Sequence, residues 1–221
     1  MIINNKRYEY NPQTIFAQIE NDNTWLYIKK ASGIYAKSIK RVVDFILAIN
    51  MLIVFMFVMI LISIIIKLAS KGPILFCQKR IGLNNAEFTL YKFRSMYSDA
   101  PVYSIKPDSS DDPRITSVGK WLRKTSLDEL PQIFNVLNGS MSLIGPRPEM
   151  PFLVDEYNSW ENYRHLVKPG ITGLWQISNE RTKAIRDGIH LDFEYIRKIS
   201  FLTDLKILLK TLKVFVKCNT R

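Results

Sequence analysis

The sequence has few of the residues that build metal centres and disulfide frameworks. Among its 221 residues it has two cysteines, Cys77 and Cys218, and two histidines, His165 and His190. Neither pair has the spacing of a zinc or redox motif, so we expect no zinc site and no disulfide framework. The first strongly apolar run begins only after about 40 mostly polar residues, which is too late for a secretory signal.

Negative charge is also scarce. The 20 Asp and Glu residues are outnumbered by 31 Lys and Arg residues, which gives a net charge of +11. Such a surplus suits three partners, namely nucleic acid, anionic lipid headgroups and phosphorylated substrates, and composition does not choose among them. Hydrophobic residues make up 47% of the chain, which excludes a disordered protein.

The clearest feature that is present is an apolar run. From Phe45 to Ile66 there are 22 residues without a formal charge. A helix of this length rises about 33 Å, enough to cross a bilayer core of about 30 Å. The alternative, a core helix buried on all sides, needs a larger protein around it. We therefore predict a membrane anchor over residues 37–71, an N-terminal appendage over 1–36 and a membrane-associated domain over 72–221.

The topology of the anchor is left open by the sequence. Lys37, Lys40 and Arg41 precede the run, and Lys67 and Lys71 follow it. Positive residues favour the cytoplasmic side of a membrane, so both ends favour that side. This fits a re-entrant helix that dips into one leaflet and returns. However, no Pro or Gly lies inside the run to break the helix, so a plain span is the alternative.

A small β-hairpin is predicted after the anchor. Gly72-Pro73 ends the helix, and two short β-prone runs follow at residues 74–76 and 88–91. The turn-forming residues 82–85 lie between them. The rest of the chain favours helices, so the expected fold class is α+β and mostly helical.

Two longer helices are predicted, over residues 114–139 and 191–217. The second has a stripe of lysines spaced four, three and four residues apart, which places them on one face: Lys206, Lys210, Lys213 and Lys217. Apolar residues fill much of the remaining surface. This pattern is typical of an amphipathic helix that lies at the membrane interface, although an ordinary surface helix packed on a core shows it too.

Two adjacent carboxylates, Asp128 and Glu129, lie near a predicted helix start. In one register Ser126 and Glu129 form a capping box, but Pro131 then falls inside the helix, where its missing N–H matters. In the other register Pro131 begins the helix and the carboxylates lie in the preceding turn. Both registers favour ionised carboxylates. An ionised Asp can attack phosphorus, and a neighbouring Glu can hold a hard divalent cation.

Two arginines add a phosphate-binding character to this region. Arg123 lies five residues before Asp128, and Arg147 lies between Pro146 and Pro148. The proline rings restrict the backbone, so the Arg147 guanidinium loses less entropy when it binds a phosphate or nucleotide. The alternative for each residue is a solvated basic surface.

Several segments together match one family. The chain resembles the bacterial sugar transferases, which are also called monotopic phosphoglycosyl transferases. The matching segments occur in the family's order between about residue 38 and residue 217. They are residues 40–44, 78–82, 91–96, 126–132, 145–148, 168–173 and 191–192.

The resemblance implies a reaction. In this family an Asp-Glu dyad works with Mg²⁺, which makes Asp128 the nucleophile that takes a phosphosugar from a UDP-sugar and releases UMP. Glu129 then helps to bind the metal, and polyprenyl (undecaprenyl) phosphate attacks the phospho-aspartate. The resemblance assigns substrate binding to Lys92, Arg123, Arg147, Arg181 and Asp192.

The resemblance also implies a setting. It places the enzyme on the cytoplasmic face of the bacterial inner membrane, among membrane lipids, without a nucleic-acid partner and with a homodimer as one option. The products of the family feed capsule, exopolysaccharide, O-antigen or glycoprotein glycan assembly.

The chain departs from the family pattern at two places. The family's membrane helix usually has Ser-Pro at its middle, which breaks it into a re-entrant hairpin, and Met56 and Phe57 stand there instead. Many relatives have Asn-Gly-Arg where this chain has Asn179-Glu180-Arg181.

Two other functions stay open on the sequence. One is a membrane-attached binding protein whose basic surface holds nucleic acid or anionic lipid, which predicts steep salt dependence of polynucleotide binding. The chain has no recognisable nucleic-acid motif, which argues against it. The other is an inactive scaffold, against which the intact Asp128-Glu129 pair argues.

Overall fold

A computed structural model describes residues 24–101, 112–182 and 184–216. Helices predominate in these residues, and the predicted α+β, mostly helical class is confirmed. The α-helices of this part are α1 (Thr24–Ala31), α2 (Lys40–Ala69), α3 (Ser117–Thr125), α4 (Gln132–Asn138), α5 (Pro151–Val154), α6 (Leu174–Ile177), α7 (Ile189–Lys198) and α8 (Phe201–Val216). The strands are β1 (Leu75–Ile81), β2 (Glu87–Phe93), β3 (Ser142–Ile144) and β4 (Gly170–Thr172).

The predicted hairpin is confirmed. Strands β1 and β2 are antiparallel, in a register that pairs Leu75 with Phe93 and Ile81 with Glu87. Asn84 and Asn85 adopt left-handed backbone conformations in the turn, with φ of 54° and 60°. Asparagine tolerates this conformation better than most residues, so the turn cluster marked the hairpin correctly. The short parallel pair of β3 and β4 was not predicted.

The predicted helix over residues 114–139 is wrong as a single element. Helix α3 ends at Thr125 because Ser126 takes a left-handed conformation with φ of 55°. A single 3₁₀ turn, Leu127–Glu129, follows, and α4 begins immediately after Pro131. The register with Pro131 at the helix start is therefore the one adopted. Ser126 makes no side-chain capping bond in the described residues, so the capping box does not form.

The predicted helix over residues 191–217 is also two elements. Helix α7 ends at Lys198, and α8 begins at Phe201 after a bend at Ile199, whose ψ of 118° is not helical. The lysines of the predicted stripe that the structure describes are exposed on α8: Lys206, Lys210 and Lys213. Lys217 and Cys218 lie outside the described residues, as do residues 1–23 of the predicted appendage.

Helix α2 is the apolar helix predicted as an anchor. It continues a helical segment from Tyr35 to Ala69, the one helix in the described residues that is long and apolar enough to cross a membrane. Its most apolar stretch is only 17% buried, which excludes the core helix buried on all sides. Ile53 and Phe57 are each 68% exposed, on the flank of the helix that faces away from the rest of the protein. Such an apolar surface is typical of contact with lipid.

The opposite flank of α2 packs on the rest of the protein. Met59, Ile62 and Ile66 are buried in one cluster with Phe93 and Leu122. The helix is unbroken through the positions where the family usually has Ser-Pro. A buried stripe along an otherwise exposed apolar helix means that the protein body lies beside the helix rather than beyond its end.

Both ends of α2 are tied to that body. Near its start, the Asp44 carboxylate accepts a 3.2 Å hydrogen bond from the Leu143 N–H. At its end, the Arg94 guanidinium donates to the carbonyls of Ser70 and Lys71 at 2.8 and 2.9 Å. The anchor is therefore fixed to the rest of the protein over its whole length.

A buried polar network joins α2 to α8. The carboxylate of Asp204 accepts from Lys40 at 2.6 Å, from the Tyr35 hydroxyl at 2.7 Å and from the Tyr195 hydroxyl at 2.9 Å. A buried carboxylate needs such partners, because leaving it unpaired costs several kcal/mol. Helix α1 joins the same body through Tyr27, whose ring lies 5.8 Å from that of Phe193.

Candidate active site

The carboxylate pair lies in the sharp turn between α3 and α4. Asp128 is 8% exposed, and Glu129 is the last residue of the 3₁₀ turn. The left-handed Ser126 reverses the chain at the end of α3, and Pro131 then starts α4. These two local signals hold both carboxylates between the helices and against the hairpin.

Glu129 is held by two cations from different parts of the chain. The Lys92 ammonium, on β2, lies 2.7 Å from Glu129 Oε1, and the Arg147 guanidinium lies 3.0 Å from the same oxygen. Burial alone would raise the pKa of Glu129, but Lys92 and Arg147 outweigh it and hold that pKa well below its ordinary value. Glu129 is therefore ionised at any physiological pH.

The pKa values of the two cations are shifted in opposite directions. Burial lowers the pKa of Lys92 below its ordinary value, although Glu129 opposes that shift. Glu129 raises the pKa of Arg147, against the effect of burial. The charge of Asp128 also acts on both cations, so Asp128 lies within electrostatic reach of each. The site thus joins two carboxylates to two cations.

Arg147 is positioned by residues that the sequence analysis missed. Arg164 donates a 2.7 Å hydrogen bond to the Arg147 carbonyl. The Trp175 ring lies 6.0 Å from the Arg147 guanidinium, in cation–π range. Neither residue is marked in the sequence by spacing or composition, since both become part of the site only through the tertiary fold.

Asp192 contributes to the site through Arg164. The two side chains form a buried ion pair with N–O distances of 2.8 and 2.9 Å. Burial alone would lower the pKa of Arg164, but Asp192 outweighs it and raises that pKa. Burial also raises the pKa of Asp192, and Arg164 opposes this without cancelling it. Asp192 therefore supports the backbone of Arg147 instead of contacting Glu129.

Glu149 is a further acidic residue near the site that was missed. It is buried, and its carboxylate lies 3.7 Å from the Arg80 guanidinium of β1. Its charge contributes to the raised pKa of Arg147 and of Arg164. Glu149 directly follows the matching segment 145–148, so its place beside this segment was the sequence signal that could have identified it.

The other two predicted substrate-binding arginines lie on different elements. Arg123 is half-buried on α3, where its charge helps Arg114 to lower the pKa of Asp112 to about 2. Arg181 lies in a 3₁₀ turn, Asn179–Thr182. In the described part of the chain, neither arginine forms a hydrogen bond or an ion pair with Glu129. Their roles stay predictions.

The residues present fit a magnesium ion. Both hydrogen bonds of Glu129 in the described part use Oε1, which leaves Oε2 as an available oxygen ligand. No group of three or more ligating side chains occurs in residues 24–101, 112–182 and 184–216. Magnesium commonly binds through one or two carboxylates together with water and substrate phosphates, so a full protein cage is not needed.

Comparison with known proteins agrees with the segments that matched in the sequence. A family model described as bacterial sugar transferase matches residues 35–218. An undecaprenyl-phosphate glucose phosphotransferase of Komagataeibacter xylinus is 44% identical over 188 residues, which cover 79% of this chain and 35% of that protein.

Two further relatives cover more of the chain. A UDP-N-acetylgalactosamine-undecaprenyl-phosphate N-acetylgalactosaminephosphotransferase of Aeromonas hydrophila is 41% identical, over 84% of this chain and 45% of that protein. A UDP-glucose:undecaprenyl-phosphate glucose-1-phosphate transferase of Escherichia coli K12 is 40% identical, over 84% of this chain and 42% of that protein. The matched region thus spans less than half the length of each of these relatives.

Proposed function

Because this chain belongs to the bacterial sugar transferase family, we propose that it transfers a phosphosugar from a UDP-sugar to polyprenyl phosphate and releases UMP. The names of the relatives supply the acceptor, which is undecaprenyl phosphate in each of the three. The same names differ in the sugar, so the donor sugar of this chain is a matter for experiment.

One observation carries the proposal. Glu129 is ionised and held by Lys92 and Arg147, and Asp128 lies next to it within reach of the same cations. The two cations are balanced by the two carboxylates. A diphosphate entering this site would therefore need additional positive charge, and Glu129 Oε2 is an available ligand for a divalent cation that would supply it.

An apolar groove next to the site suits a prenyl chain. The groove has a volume of about 520 Å³ and is lined along α2 by Met56 and Met59 and, on the other side, by Phe93 and Phe134. Leu127 and Leu130, which flank the carboxylate pair, pack against the cluster of Met59 and Phe93, so the groove and the carboxylate pair are neighbours. A lipid-borne phosphate can reach the site from the membrane along this groove.

The proposed reaction has two displacement steps at one phosphorus atom. A carboxylate oxygen of Asp128 attacks the phosphorus that bears the sugar, and the bond from that phosphorus to the oxygen of UMP breaks. An oxygen of polyprenyl phosphate then attacks the same phosphorus, and the bond to Asp128 breaks. Lys92 stabilises the charge on the equatorial oxygens, and Arg147 binds the nucleotide part of the UDP-sugar. A magnesium ion held by Glu129 would neutralise part of the diphosphate charge.

The exposed apolar flank of α2 supports membrane association. We place the site on the cytoplasmic face of the bacterial inner membrane, where UDP-sugars occur and where positive residues at both ends of the anchor are favoured. In this position the enzyme initiates a surface polysaccharide or another glycoconjugate. A homodimer is compatible with this proposal and is tested by the size of the detergent-solubilised protein.

The test compares Asp128→Asn and Glu129→Gln with a matched control, Asp155→Asn, whose side chain is exposed. Purified full-length protein is incubated with Mg²⁺ and a panel of UDP-sugars, with and without undecaprenyl phosphate. We expect UMP release from the control. Intact-mass analysis without acceptor should show a phosphosugar adduct.

Asp128→Asn should lose both UMP release and the adduct, and Glu129→Gln should lose most of the activity. Full activity in Asp128→Asn would defeat the proposed nucleophile. UMP release that needs the acceptor and never gives an adduct would replace the covalent route with direct transfer.

A further inference from the structure

A second cavity lies at the start of the anchor, away from the carboxylate pair. Its volume is about 310 Å³, and it forms where α1, the first turns of α2, the hairpin turn and residues 166–168 meet. Its cationic lining includes Lys37, Arg41 and Lys168, and its apolar lining includes Ile28 and Leu166. The cavity therefore has both charged and apolar lining.

The cavity and the carboxylate pair lie at opposite ends of α4. The Arg41 guanidinium donates to the carbonyls of Val136 and Leu137, in the last turn of that helix. Glu129 precedes the first turn. Helix α4 has seven residues, a length of roughly 10 Å. The cavity therefore shares no lining with the Glu129 cluster.

The cavity is lined by four cations, Lys37, Lys40, Arg41 and Lys168, and by one carboxylate, Asp44, so positive charge is in excess. Lys40 is paired with Asp204 at 2.6 Å. Arg41 donates to two backbone carbonyls, which carry no counter-charge, and its guanidinium has further N–H groups for an anion. Lys168 is half-buried, yet in the described part of the chain no carboxylate lies within ion-pair distance of it. Burial and the nearby Arg41 lower the pKa of Lys168, although the charge of Asp44 opposes this shift. Burying a cation without a counter-ion is costly, so this arrangement favours an anion.

The position of the cavity favours a lipid as the source of that anion. Arg41 precedes by four residues the apolar run that begins at Phe45. On α1, Trp25 is 61% exposed, and the Lys29 ammonium lies 4.5 Å from its ring. Exposed tryptophan beside lysine is typical of the membrane–water interface. The cavity therefore lies at the depth of lipid headgroups.

We propose that this cavity binds the phosphate diester headgroup of an anionic phospholipid. The phosphate contacts Lys168 and Arg41, with Lys37 at the mouth, and the glycerol and the first acyl carbons lie on Ile28 and Leu166. A free phosphate would use the cations and leave the apolar side uncovered. This site is independent of the proposed sugar-phosphate transfer, and its failure would leave that function untouched.

The test measures binding of a short-chain phosphatidylglycerol to the full chain in a neutral detergent, by calorimetric titration and by native mass spectrometry. Dihexanoyl phosphatidylcholine, glycerol phosphate and inorganic phosphate are compared under the same conditions. The variants are Lys168→Met and Lys37→Gln, and Lys79→Met is the control because Lys79 is exposed on β1. Lys37 is exposed, so its variant should fold even if Lys168→Met does not.

We expect one phosphatidylglycerol per chain and a loss of affinity of about tenfold or more in Lys168→Met, since one charge-assisted contact is removed. Lys37→Gln should weaken binding by a smaller factor, and Lys79→Met should bind like the unmodified chain. Unchanged binding in both Lys168→Met and Lys37→Gln would overturn the site. Equal binding of inorganic phosphate and phosphatidylglycerol would overturn the lipid assignment.

Discussion

Arg164 donates a 2.7 Å hydrogen bond to the backbone carbonyl of Arg147, seventeen residues earlier in the chain. The same guanidinium is paired with Asp192 and also donates to the Tyr157 hydroxyl at 2.9 Å. The position of Arg147 beside Glu129 therefore depends on an ion pair that is itself remote from Glu129. Asp192 is on this argument a positioning residue, and a change there should reach the site through Arg147.

Replacement of Asp192 by Asn should destabilise the protein and weaken donor binding. The Arg164 charge would stay buried without its counter-ion, which costs on the order of 3 kcal/mol. Thermal unfolding of the detergent-solubilised protein measures the loss of stability. Steady-state kinetics should show a larger rise in KM for the UDP-sugar than fall in kcat, because Arg147 is proposed to bind the nucleotide.

The matched control is Glu194→Gln, two residues further along α7. Glu194 pairs with Lys198 at 2.6 Å, but this pair is exposed, so the change should cost less than about 1 kcal/mol. Equal melting temperatures for the two variants would show that the Asp192–Arg164 pair does not stabilise the fold. A normal KM in a folded Asp192→Asn protein would remove the positioning role.

The parts of the structure that were predictable from the sequence depend on local signals. Pro131 cannot lie inside a helix without cost, so one of the two registers that the sequence left open began a helix there and placed Asp128 in the turn before it. The asparagines of the hairpin turn gave an equally local signal. The apolar run of α2 was visible for the same reason, since 22 uncharged residues need no tertiary contact to be recognised.

The parts that were missed depend on contacts between distant residues. Ser126 has no sequence feature that demands a left-handed conformation, so the break between α3 and α4 was read as continuous helix. Arg164 gains its role from Asp192, 28 residues later, and from Arg147. The pairing of β3 with β4 joins Ser142 to Gly170. Such long-range pairings leave little trace in a single sequence.

The lowered pKa of Lys92 predicts opposite effects of alkaline pH on activity and on stability. Once pH exceeds this pKa, Lys92 loses its proton and its ion pair with Glu129. As pH rises, activity should therefore begin to decline before pH reaches 10.5, the ordinary lysine value. The unfolded chain still binds that proton between the two values, and the folded chain does not. Stability therefore rises with pH in the same window, as far as Lys92 determines it.

The measurement is kcat/KM against pH for the unmodified chain and for Lys92→Arg. Arginine keeps its charge, so the alkaline decline should move to higher pH even if the maximum activity is lower. Lys79→Arg is the control, because Lys79 is exposed on β1, and its profile should match that of the unmodified chain. An unmoved alkaline limb in an active Lys92→Arg enzyme would assign that limb to another group.

Asn135 is predicted to fix the position of β2, and with it that of Lys92 beside Glu129. Its side chain is fully buried, accepts a 3.0 Å hydrogen bond from the Tyr91 N–H and donates a 2.7 Å bond to the Thr89 carbonyl. Asn135→Leu leaves both backbone groups of β2 unpaired, at a cost of roughly 2–4 kcal/mol in total. The free energy of unfolding should fall by this amount, and activity should fall with it because Lys92 adjoins Tyr91.

Asn138→Leu, on the same helix, is the control for that change. Asn138 is exposed, and its carboxamide oxygen accepts from Ser140, so the substitution should cost less than about 1 kcal/mol. If Asn135→Leu is as stable and as active as Asn138→Leu, the link between α4 and β2 does not position Lys92.

The two ends of α2 are predicted to face the same side of the membrane. Each end is hydrogen-bonded to the same protein body, through Asp44 and Leu143 at one end and through Arg94 at the other. A helix that crossed the bilayer would have to carry part of that body through the hydrocarbon core, where unpaired polar groups are costly. The exposed flank of α2 therefore lies in one leaflet. Both ends stay on the same side of the membrane without a Pro to break the helix.

Cysteine labelling distinguishes this arrangement from a plain span. In a chain without Cys77 and Cys218, the exposed positions are changed one at a time, as Lys37→Cys and Lys71→Cys, and sealed vesicles of both orientations are treated with an impermeant maleimide. A chain that keeps only Cys77, which is exposed on β1, reports the side of the protein body. An impermeant reagent reaches only the outer face of a sealed vesicle, so all three cysteines should be labelled only in inside-out vesicles. Labelling of Lys37→Cys and Lys71→Cys from opposite faces would instead establish a span.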